Sequence, residues 1–222
     1  MKKDGYEDEL RSKTISILER VQKLIASADN GKMMKEGINT VIVGKPNAGK
    51  YSIINRMCGE ERVIVSDIAG TTRDATDTRV ENEHGIYNFI DTAGIRRQSK
   101  IDDKIEHFSV LRAHMAVERA QVCLLMIDAS TGITDQDTKI AGIAHEAGKA
   151  VIIVVNKWDL IEKDNNTVNE FNNKIRTELA YMPYAPILYI SAKTGQRINK
   201  LARHAHVIEI NISFKSLACA RG

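Results

Sequence analysis

The chain has 222 residues, of which 43% are hydrophobic and 27% are charged, as is ordinary for one well-packed globular domain. A formal net charge of +3 is too small to argue by itself for a nucleic acid or another polyanionic partner. The three cysteines are far apart and form neither a disulfide framework nor a metal-binding spacing, which favours a reducing compartment. The N-terminus MKKDGYEDEL has no apolar signal core, and no apolar run reaches the about 18 residues of a membrane span. We therefore expect a cytoplasmic protein that does not contact a membrane.

The first element in chain order is an amphipathic helix predicted over residues 7–28. The sequence Asp29-Asn30-Gly31 ends it, so we assign residues 1–31 to an N-terminal helical segment. Its apolar stripe packs either on its own domain or on another chain. The stripe recurs at helical spacing and consists of Leu10, Ile17, Leu18, Val21, Leu24 and Ile25.

Strand-like and helical patterns then alternate, which predicts the α/β class: a six-stranded, mostly parallel sheet with helices on both faces and one antiparallel edge strand. We place this domain at residues 32–210 and leave 211–222 as a tail. The second and third strands form a hairpin turned at His84-Gly85. The predicted strands cover residues 38–43, 77–82, 86–91, 122–128, 150–156 and 186–191. The predicted helices cover residues 52–59, 105–120, 135–148 and 167–181, with a last one starting near Gln196.

The loop after the first strand has the pattern of a phosphate-binding loop. GKPNAGKYS (Gly44–Ser52) matches G-x-x-x-x-G-K-[ST] except at its last position. Backbone N–H groups of residues 45–50 can surround a phosphate chain, and Lys50 would neutralise the outer phosphates. Gly44 and Gly49 permit the tight turn. A simple glycine-rich turn is the alternative, but the strand before the loop and the helix after it favour a nucleotide site.

Tyr51 stands where the pattern requires a Ser or Thr hydroxyl to reach the magnesium ion of the nucleotide. The phenol oxygen lies across a ring and does not reach the same position. Ser52 follows, but successive helix residues point about 100° apart, so it is a poor substitute. We expect weakened Mg²⁺ binding and slow or absent hydrolysis, with the diphosphate or empty state favoured. The alternative is that Tyr51 turns outward and a water molecule replaces the missing ligand.

DTAG (Asp91–Gly94) follows a predicted strand. Asp91 can hold Mg²⁺ through a water molecule, and the Gly94 N–H can sense a terminal phosphate. D-x-x-G alone is common, so this motif gains weight only from the others.

NKWD (Asn156–Asp159) follows another predicted strand. The Asp159 carboxylate can accept hydrogen bonds from N1 and the exocyclic amine of guanine, a donor pair that adenine does not offer. The stem of Lys157 would pack along the base, and Asn156 would brace the loop.

SAK follows the last predicted strand as Ser191, Ala192 and Lys193, and the Ala192 amide is placed to bind guanine O6. Each of these motifs alone is compatible with an ordinary solvated loop. Four of them at successive strand ends predict a guanine-nucleotide site, because the carboxyl edge of such a sheet is where ligands bind.

Together with GTTRD (Gly70–Asp74), these motifs resemble the TrmE–Era-like branch of translation GTPases (TrmE-Era-EngA-YihA-Septin-like). Residues 60–201 resemble the second GTPase domain of the Der (EngA) family, which assembles the large ribosomal subunit. Residues 1–50 resemble the segment that leads into the G domain of the MnmE (TrmE) family, which modifies tRNA. The chain therefore reads as a composite of two resemblances that meet near the phosphate loop.

The resemblance implies further roles. Thr72 would close over Mg²⁺ and the terminal phosphate, with Lys50 and Gly94 completing the catalytic set and Asp91 supporting the metal. Asn47 would hold a K⁺ ion beside the phosphates. An aliphatic residue, Ile95, stands where many signalling GTPases carry a water-orienting Gln, so intrinsic hydrolysis should depend on a cation or partner. The expected nucleotide-binding residues are Gly44, Asn47, Ala48, Gly49, Lys50, Tyr51, Ser52, Asn156, Lys157, Asp159, Ser191, Ala192 and Lys193.

The function that these expectations favour is GTP and GDP binding with Mg²⁺ and K⁺, hydrolysis weakened at Tyr51, and a role in ribosome assembly. The expected partners are a ribosomal subunit or RNA, and a monomer is favoured. Two alternatives stay open: a guanine-nucleotide-binding or scaffold module that does not hydrolyse GTP, and a GTPase linked to tRNA modification.

Overall fold

A computed structural model of the chain describes residues 14, 15, 17, 36–60, 77–82, 85–92 and 106–201. The predicted N-terminal helix lies almost entirely outside these residues, as does the tail at 211–222. The GTTRD segment and Gly94 also lie outside them.

The described elements alternate along the chain as the sequence patterns predict. Four of the six described strands are followed by a loop that carries one of the motifs, and one is followed by its partner strand in a hairpin. The elements in order are β1 (Ile38–Gly44), α1 (Lys50–Glu60), β2 (Thr78–Asn82), β3 (Gly85–Ile90), α2 (Glu106–Arg119), β4 (Val122–Asp128), α3 (Asp135–Glu146), β5 (Ala150–Asn156), a 3-10 turn (Trp158–Leu160), α4 (Thr167–Glu178) and β6 (Ile187–Tyr189).

The six strands form one sheet in the order β2-β3-β1-β4-β5-β6. All neighbours are parallel except the edge pair β2 and β3, which is antiparallel. The predicted α/β architecture is therefore confirmed. Because β1 has β3 on one side and β4 on the other, the order reverses there, and the carboxyl end of β1 is a ligand-binding switch point.

The central strands are buried on both faces because they carry almost only apolar residues. β4 (VCLLMID) and β5 (AVIIVVN) are buried at every position. Alternate side chains enter two different cores, since strand residues alternate between faces. Leu124 and Ile152 belong to the core that also contains α1, and Leu125 and Ile153 belong to the core under α3. The sheet is thus a rigid platform whose carboxyl edge carries the loops.

Several element boundaries differ from the sequence predictions, and three of the differences lie next to the motif loops. β3 ends at Ile90, because Asp91 has a left-handed backbone with φ of 55° that leaves the strand. β6 has only three residues, and Ser191 pairs across its own loop with Gln196 instead. The last helix begins at residue 198, two residues later than predicted.

Candidate functional site

The phosphate loop joins β1 to α1, and its backbone requires glycine at two positions. Gly44 has φ of 138° and Gly49 has φ of 94°. A Cβ atom at Gly44 would clash with the carbonyl oxygen of Met126, and one at Gly49 would clash with the side-chain nitrogen of Asn156. Asn47 also has a positive φ, 61°. These positive φ values direct successive backbone N–H groups toward one concave surface, which is the usual form of an anion-binding site.

Lys50 begins α1 and is almost fully buried, with 9% of its surface exposed. Its ammonium group donates a hydrogen bond to the backbone oxygen of Gly44, so the side chain folds back over the loop. Burial lowers the pKa of Lys50 from 10.5 to about 8, and the negative charge of Asp137 only partly opposes this effect. A buried ammonium group with incomplete compensation favours an anionic ligand at this place.

Asp137 was not singled out from the sequence, yet it lies fully buried near the phosphate loop. It closes a capping box at the start of α3, in which the backbone N–H and the hydroxyl of Thr134 both donate to its Oδ2 atom. Burial raises the pKa of Asp137, against the lowering effect of these hydrogen bonds. The pattern T-x-x-D before an apolar helix is a capping signal that identifies it in retrospect.

Asn156 connects the phosphate loop to the SAK loop. Its side-chain nitrogen donates to the backbone oxygen of Ala48 at 2.9 Å, and its side-chain oxygen accepts from the Ala192 N–H at 2.9 Å. The predicted bracing role of Asn156 thus has concrete contacts. In this structure the Ala192 N–H donates to Asn156, and its expected contact with guanine O6 stays a prediction.

Asp159 has the features of a base-reading carboxylate. It accepts a hydrogen bond from the side chain of Ser191, which holds the pKa of Asp159 below its usual value. Its Oδ1 atom is shielded from solvent and has no hydrogen-bond partner within the described part of the chain. The ionised carboxylate has acceptor capacity left, and a ligand with two adjacent N–H donors would use it. Guanine offers this donor pair in its N1–H and its exocyclic amine.

Lys157 takes a left-handed backbone conformation with φ of 62°. Its ammonium group forms an ion pair with Asp128, at 2.5 Å from Oδ2. Asp128 ends β4 and was also not singled out from the sequence, because nothing in its local pattern marks it.

The metal-binding side of the site contains fewer described residues. Tyr51 lies in the first turn of α1 with 41% of its surface exposed, and Ser52 is also exposed. Asp91 is half-buried at the end of β3, and its backbone N–H donates to Asp77. Thr72 and Gly94 lie outside the described residues. Among the residues that are described, no group of three or more His, Cys, Asp or Glu is arranged to hold a metal.

None of the helices in the described ranges combines the length and the apolar character of a membrane-crossing helix.

A parallel sheet with a phosphate loop after β1 and a guanine-type carboxylate after β5 defines the class of P-loop GTPase domains. A family model described as "50S ribosome-binding GTPase" matches residues 39–157. The chain belongs to this family.

Curated relatives extend this result. The GTPase Der of Acetivibrio thermocellus is 58% identical over 185 residues, which are 83% of this chain and 42% of that protein. The GTPase Der of Alkaliphilus metalliredigens is 65% identical over 164 residues, 74% of this chain and 37% of the relative. The chain therefore spans less than half the length of these relatives. An alignment of 185 residues is longer than the segment 60–201, so the confirmed similarity to Der extends beyond that segment. The MnmE-like interpretation of residues 1–50 stays a prediction.

Solved structures agree with the fold. A structure of Era in complex with MgGDPNP and nucleotides 1506–1542 of 16S ribosomal RNA superposes with a TM-score of 0.58 at 29% identity, covering 77% of this chain and 56% of Era. The elongation factor SelB of Methanococcus maripaludis, in complex with the GTP analogue GppNHp, gives a TM-score of 0.56 at 17% identity, covering 78% of this chain and 34% of SelB. The SelB match shows the fold alone.

The lowered pKa of Lys50 predicts proton uptake on nucleotide binding. At pH 8 about half of the Lys50 side chains are neutral in the free protein, and bound phosphates would return them to the charged form. Titration calorimetry with GDP at pH 8, in Tris and in HEPES, should therefore report uptake of about half a proton per site.

The matched control is the same titration at pH 7, where Lys50 is already charged and uptake should fall to about a tenth of a proton. Binding heats at pH 8 that do not depend on the buffer would contradict the prediction.

Proposed function

We propose that this chain is a guanine-nucleotide-binding G domain of the Der type, with GTP and GDP as its ligands. The observation that carries the proposal is the Oδ1 atom of Asp159, which is shielded from solvent and has no hydrogen-bond partner among the described residues, at a sheet edge that also carries a phosphate loop. In the domain organisation that we propose, residues 32–210 form the G domain, residues 1–31 lead into it and residues 211–222 follow as a tail.

The chain's own residues would divide the nucleotide between them. The amides of residues 45–50 surround the phosphates, and Lys50 moves its ammonium group from the Gly44 carbonyl to a phosphate oxygen. Asp159 accepts the guanine donors while the Ser191 hydroxyl keeps its carboxylate ionised and oriented. Asn156 holds the two loops at a fixed distance. Adenine is rejected because it would leave the buried Asp159 oxygen without a partner.

Two cations belong to the proposal. Asp91 and Thr72 would hold Mg²⁺, which supplies positive charge that neutralises the phosphates during transfer to water. Asn47, whose left-handed backbone lies in the turn of the phosphate loop, would contribute to a K⁺ site. Gly94 would sense the terminal phosphate with its N–H.

Tyr51 is the residue at which this chain departs from the phosphate-loop pattern. Its ring is substantially exposed in the first turn of α1, where a compact hydroxyl would otherwise contact the metal. Hydrolysis of GTP is therefore expected to be slow, and Tyr51 supports the second candidate, a module that binds guanine nucleotides without hydrolysing them.

Ribosome assembly is the biological setting that we propose. The family description names the 50S ribosome, the curated relatives are GTPase Der, and the Era structure contains a fragment of 16S ribosomal RNA. A role linked to tRNA modification remains the alternative, and it depends only on the resemblance of residues 1–50 to the MnmE family.

The nucleotide prediction is tested by titrating GDP, GTP, ADP and ATP, with and without Mg²⁺. We expect the guanine nucleotides to bind more than about 100-fold tighter than the adenine nucleotides, because adenine leaves the Asp159 carboxylate unpaired. Asp159→Ala should abolish most of this preference. Equal affinities of the unmodified chain for GDP and ADP would refute the proposed function.

The Tyr51 prediction concerns turnover. Tyr51→Ser restores the hydroxyl at the metal position, and GTP hydrolysis with Mg²⁺ and K⁺ should rise by about 100-fold, the usual effect of one well-placed charge-stabilising group. Tyr184→Ser is the matched control, because Tyr184 has similar exposure, 46%, and lies on the segment before β6. Substantial turnover that is equal in the unmodified chain and in Tyr51→Ser would show that the metal does not need this hydroxyl.

The partner prediction is tested by co-sedimentation with purified ribosomal subunits at low salt. With the GTP analogue GDPNP we expect binding to the 50S subunit that weakens steeply as salt increases, since RNA phosphates dominate such contacts. The 30S subunit and bulk tRNA are the comparison samples. Binding to tRNA alone would favour the alternative, and no binding to the 50S subunit would remove the ribosomal role.

A further inference from the structure

Asp128 lies at the carboxyl end of β4, directly opposite Asn156 in the register of the sheet. Its side chain is only 7% exposed, whereas that of its ion-pair partner Lys157 is 32% exposed. One carboxylate oxygen, Oδ2, accepts the Lys157 ammonium. The other, Oδ1, accepts the backbone N–H of Ser130 at 2.9 Å and the Ser130 hydroxyl at 2.6 Å. The carboxylate is therefore held on both sides.

The charge on Asp128 is maintained although the group is nearly buried. Burial alone would raise the pKa of Asp128, but the hydrogen bonds from Lys157 and Ser130 outweigh it and hold the pKa below its usual value. The carboxylate is thus ionised at neutral pH, and its charge faces the Lys157 ammonium. A partly buried pair with further hydrogen bonds fixes geometry more firmly than an exposed pair does.

Lys157 needs such a partner because its side chain is long and flexible. An unrestrained lysine loses rotamer entropy when a ligand orders it. The ion pair orders the side chain before the ligand arrives, and the left-handed backbone of Lys157 sets the starting direction. Preorganisation of this kind increases affinity because the side chain is already ordered and loses less entropy when the ligand binds.

The same loop also contacts the phosphate side of the site. The Asp128 carbonyl accepts hydrogen bonds from the backbone N–H groups of Thr131 and Gly132. The Thr131 hydroxyl in turn accepts from the Lys45 ammonium of the phosphate loop. The loop after β4 is thereby anchored at its other end, so the Asp128 carboxylate has a fixed position against which Lys157 is held.

From these contacts we propose that Asp128 is a positioning residue for guanine recognition: it anchors the Lys157 ammonium so that the hydrocarbon stem presents a fixed apolar edge to the base. The inference rests on the proposed function, because it requires guanine to bind beside Lys157. The inference also distinguishes the base-binding part of the site from the phosphate-binding part. Replacing Asp128 should change the affinity for ligands that carry a base and should leave the affinity for phosphate-only ligands unchanged.

Asp128→Asn tests this distinction, because it removes the charge while keeping the shape and an oxygen for Ser130. We expect GDP to bind about tenfold more weakly, the effect of one charge-assisted hydrogen bond, while inorganic tripolyphosphate keeps its affinity within about twofold. Calorimetric titration of each ligand gives the two values. A merely structural role would weaken both ligands together.

Asp135→Asn is the matched control, since Asp135 is an exposed carboxylate at the start of the following helix α3, and neither ligand should respond to it. Lys157→Met removes the same ion pair from its more exposed side and retains an apolar stem. It should give the same loss for GDP alone, and adding Asp128→Asn to it should cause no further loss. Lys157→Met also keeps the test decisive if Asp128→Asn does not fold.

Unchanged GDP affinity in both variants, or an equal loss for GDP and tripolyphosphate, would overturn the role of Asp128. Failure of the proposed function is a separate result: the unmodified chain would then bind GDP and ADP equally, before any variant is made.

Discussion

The site depends above all on the two hydrogen bonds of the Asn156 side chain. That side chain is 2% exposed and joins the Ala48 carbonyl of the phosphate loop to the Ala192 amide of the SAK loop. Without it, a buried acceptor and a buried donor would both lose their partners, at about 1–3 kcal/mol each. The same constraint explains Gly49, because any side chain there would occupy the space of the Asn156 nitrogen. The separation between the phosphate-binding and base-binding loops is therefore set by one amide on the rigid end of β5.

The two ends of the site are electrostatically incomplete in opposite ways. At the phosphate end, the buried Lys50 ammonium has a lowered pKa because burial outweighs the charge of Asp137. At the base end, the Asp159 carboxylate has an oxygen that is shielded from solvent and unpartnered among the described residues. A ligand that brings anionic groups to one end and N–H donors to the other satisfies both, and guanosine polyphosphates have this arrangement. At the phosphate end, such a ligand would also relieve the unfavourable burial of the Lys50 charge.

The sequence predicted the sheet and the chemistry of its loops well, because both depend on local patterns. The apolar runs of β4 and β5 have the predicted bounds, and the glycines and NKWD lie at the strand ends where they were expected. The contacts of Asp128 were not predictable in the same way. Asp128 and Lys157 are 29 residues apart, and they meet only because β4 and β5 are neighbours in register. The hydrogen bond from the Ala192 amide to Asn156 was not predictable for the same reason, because it joins loops after two different strands, 36 residues apart.

The proposed base-recognition contacts and the proposed metal position come from different elements, and Tyr51 belongs to the metal position. The contacts that we propose for guanine recognition come from the ends of β4, β5 and β6, and none of them involves the first turn of α1. Tyr51 and Asp91, the described residues that we expect near the metal, make none of these contacts. We therefore expect recognition and hydrolysis to be separable in this fold, since a change at residue 51 would alter the proposed metal contact and leave the contacts of Asn156, Lys157 and Asp159 in place. On this proposal, a chain with tyrosine at position 51 retains selective nucleotide binding, and with it a conformational signal, while its turnover is reduced.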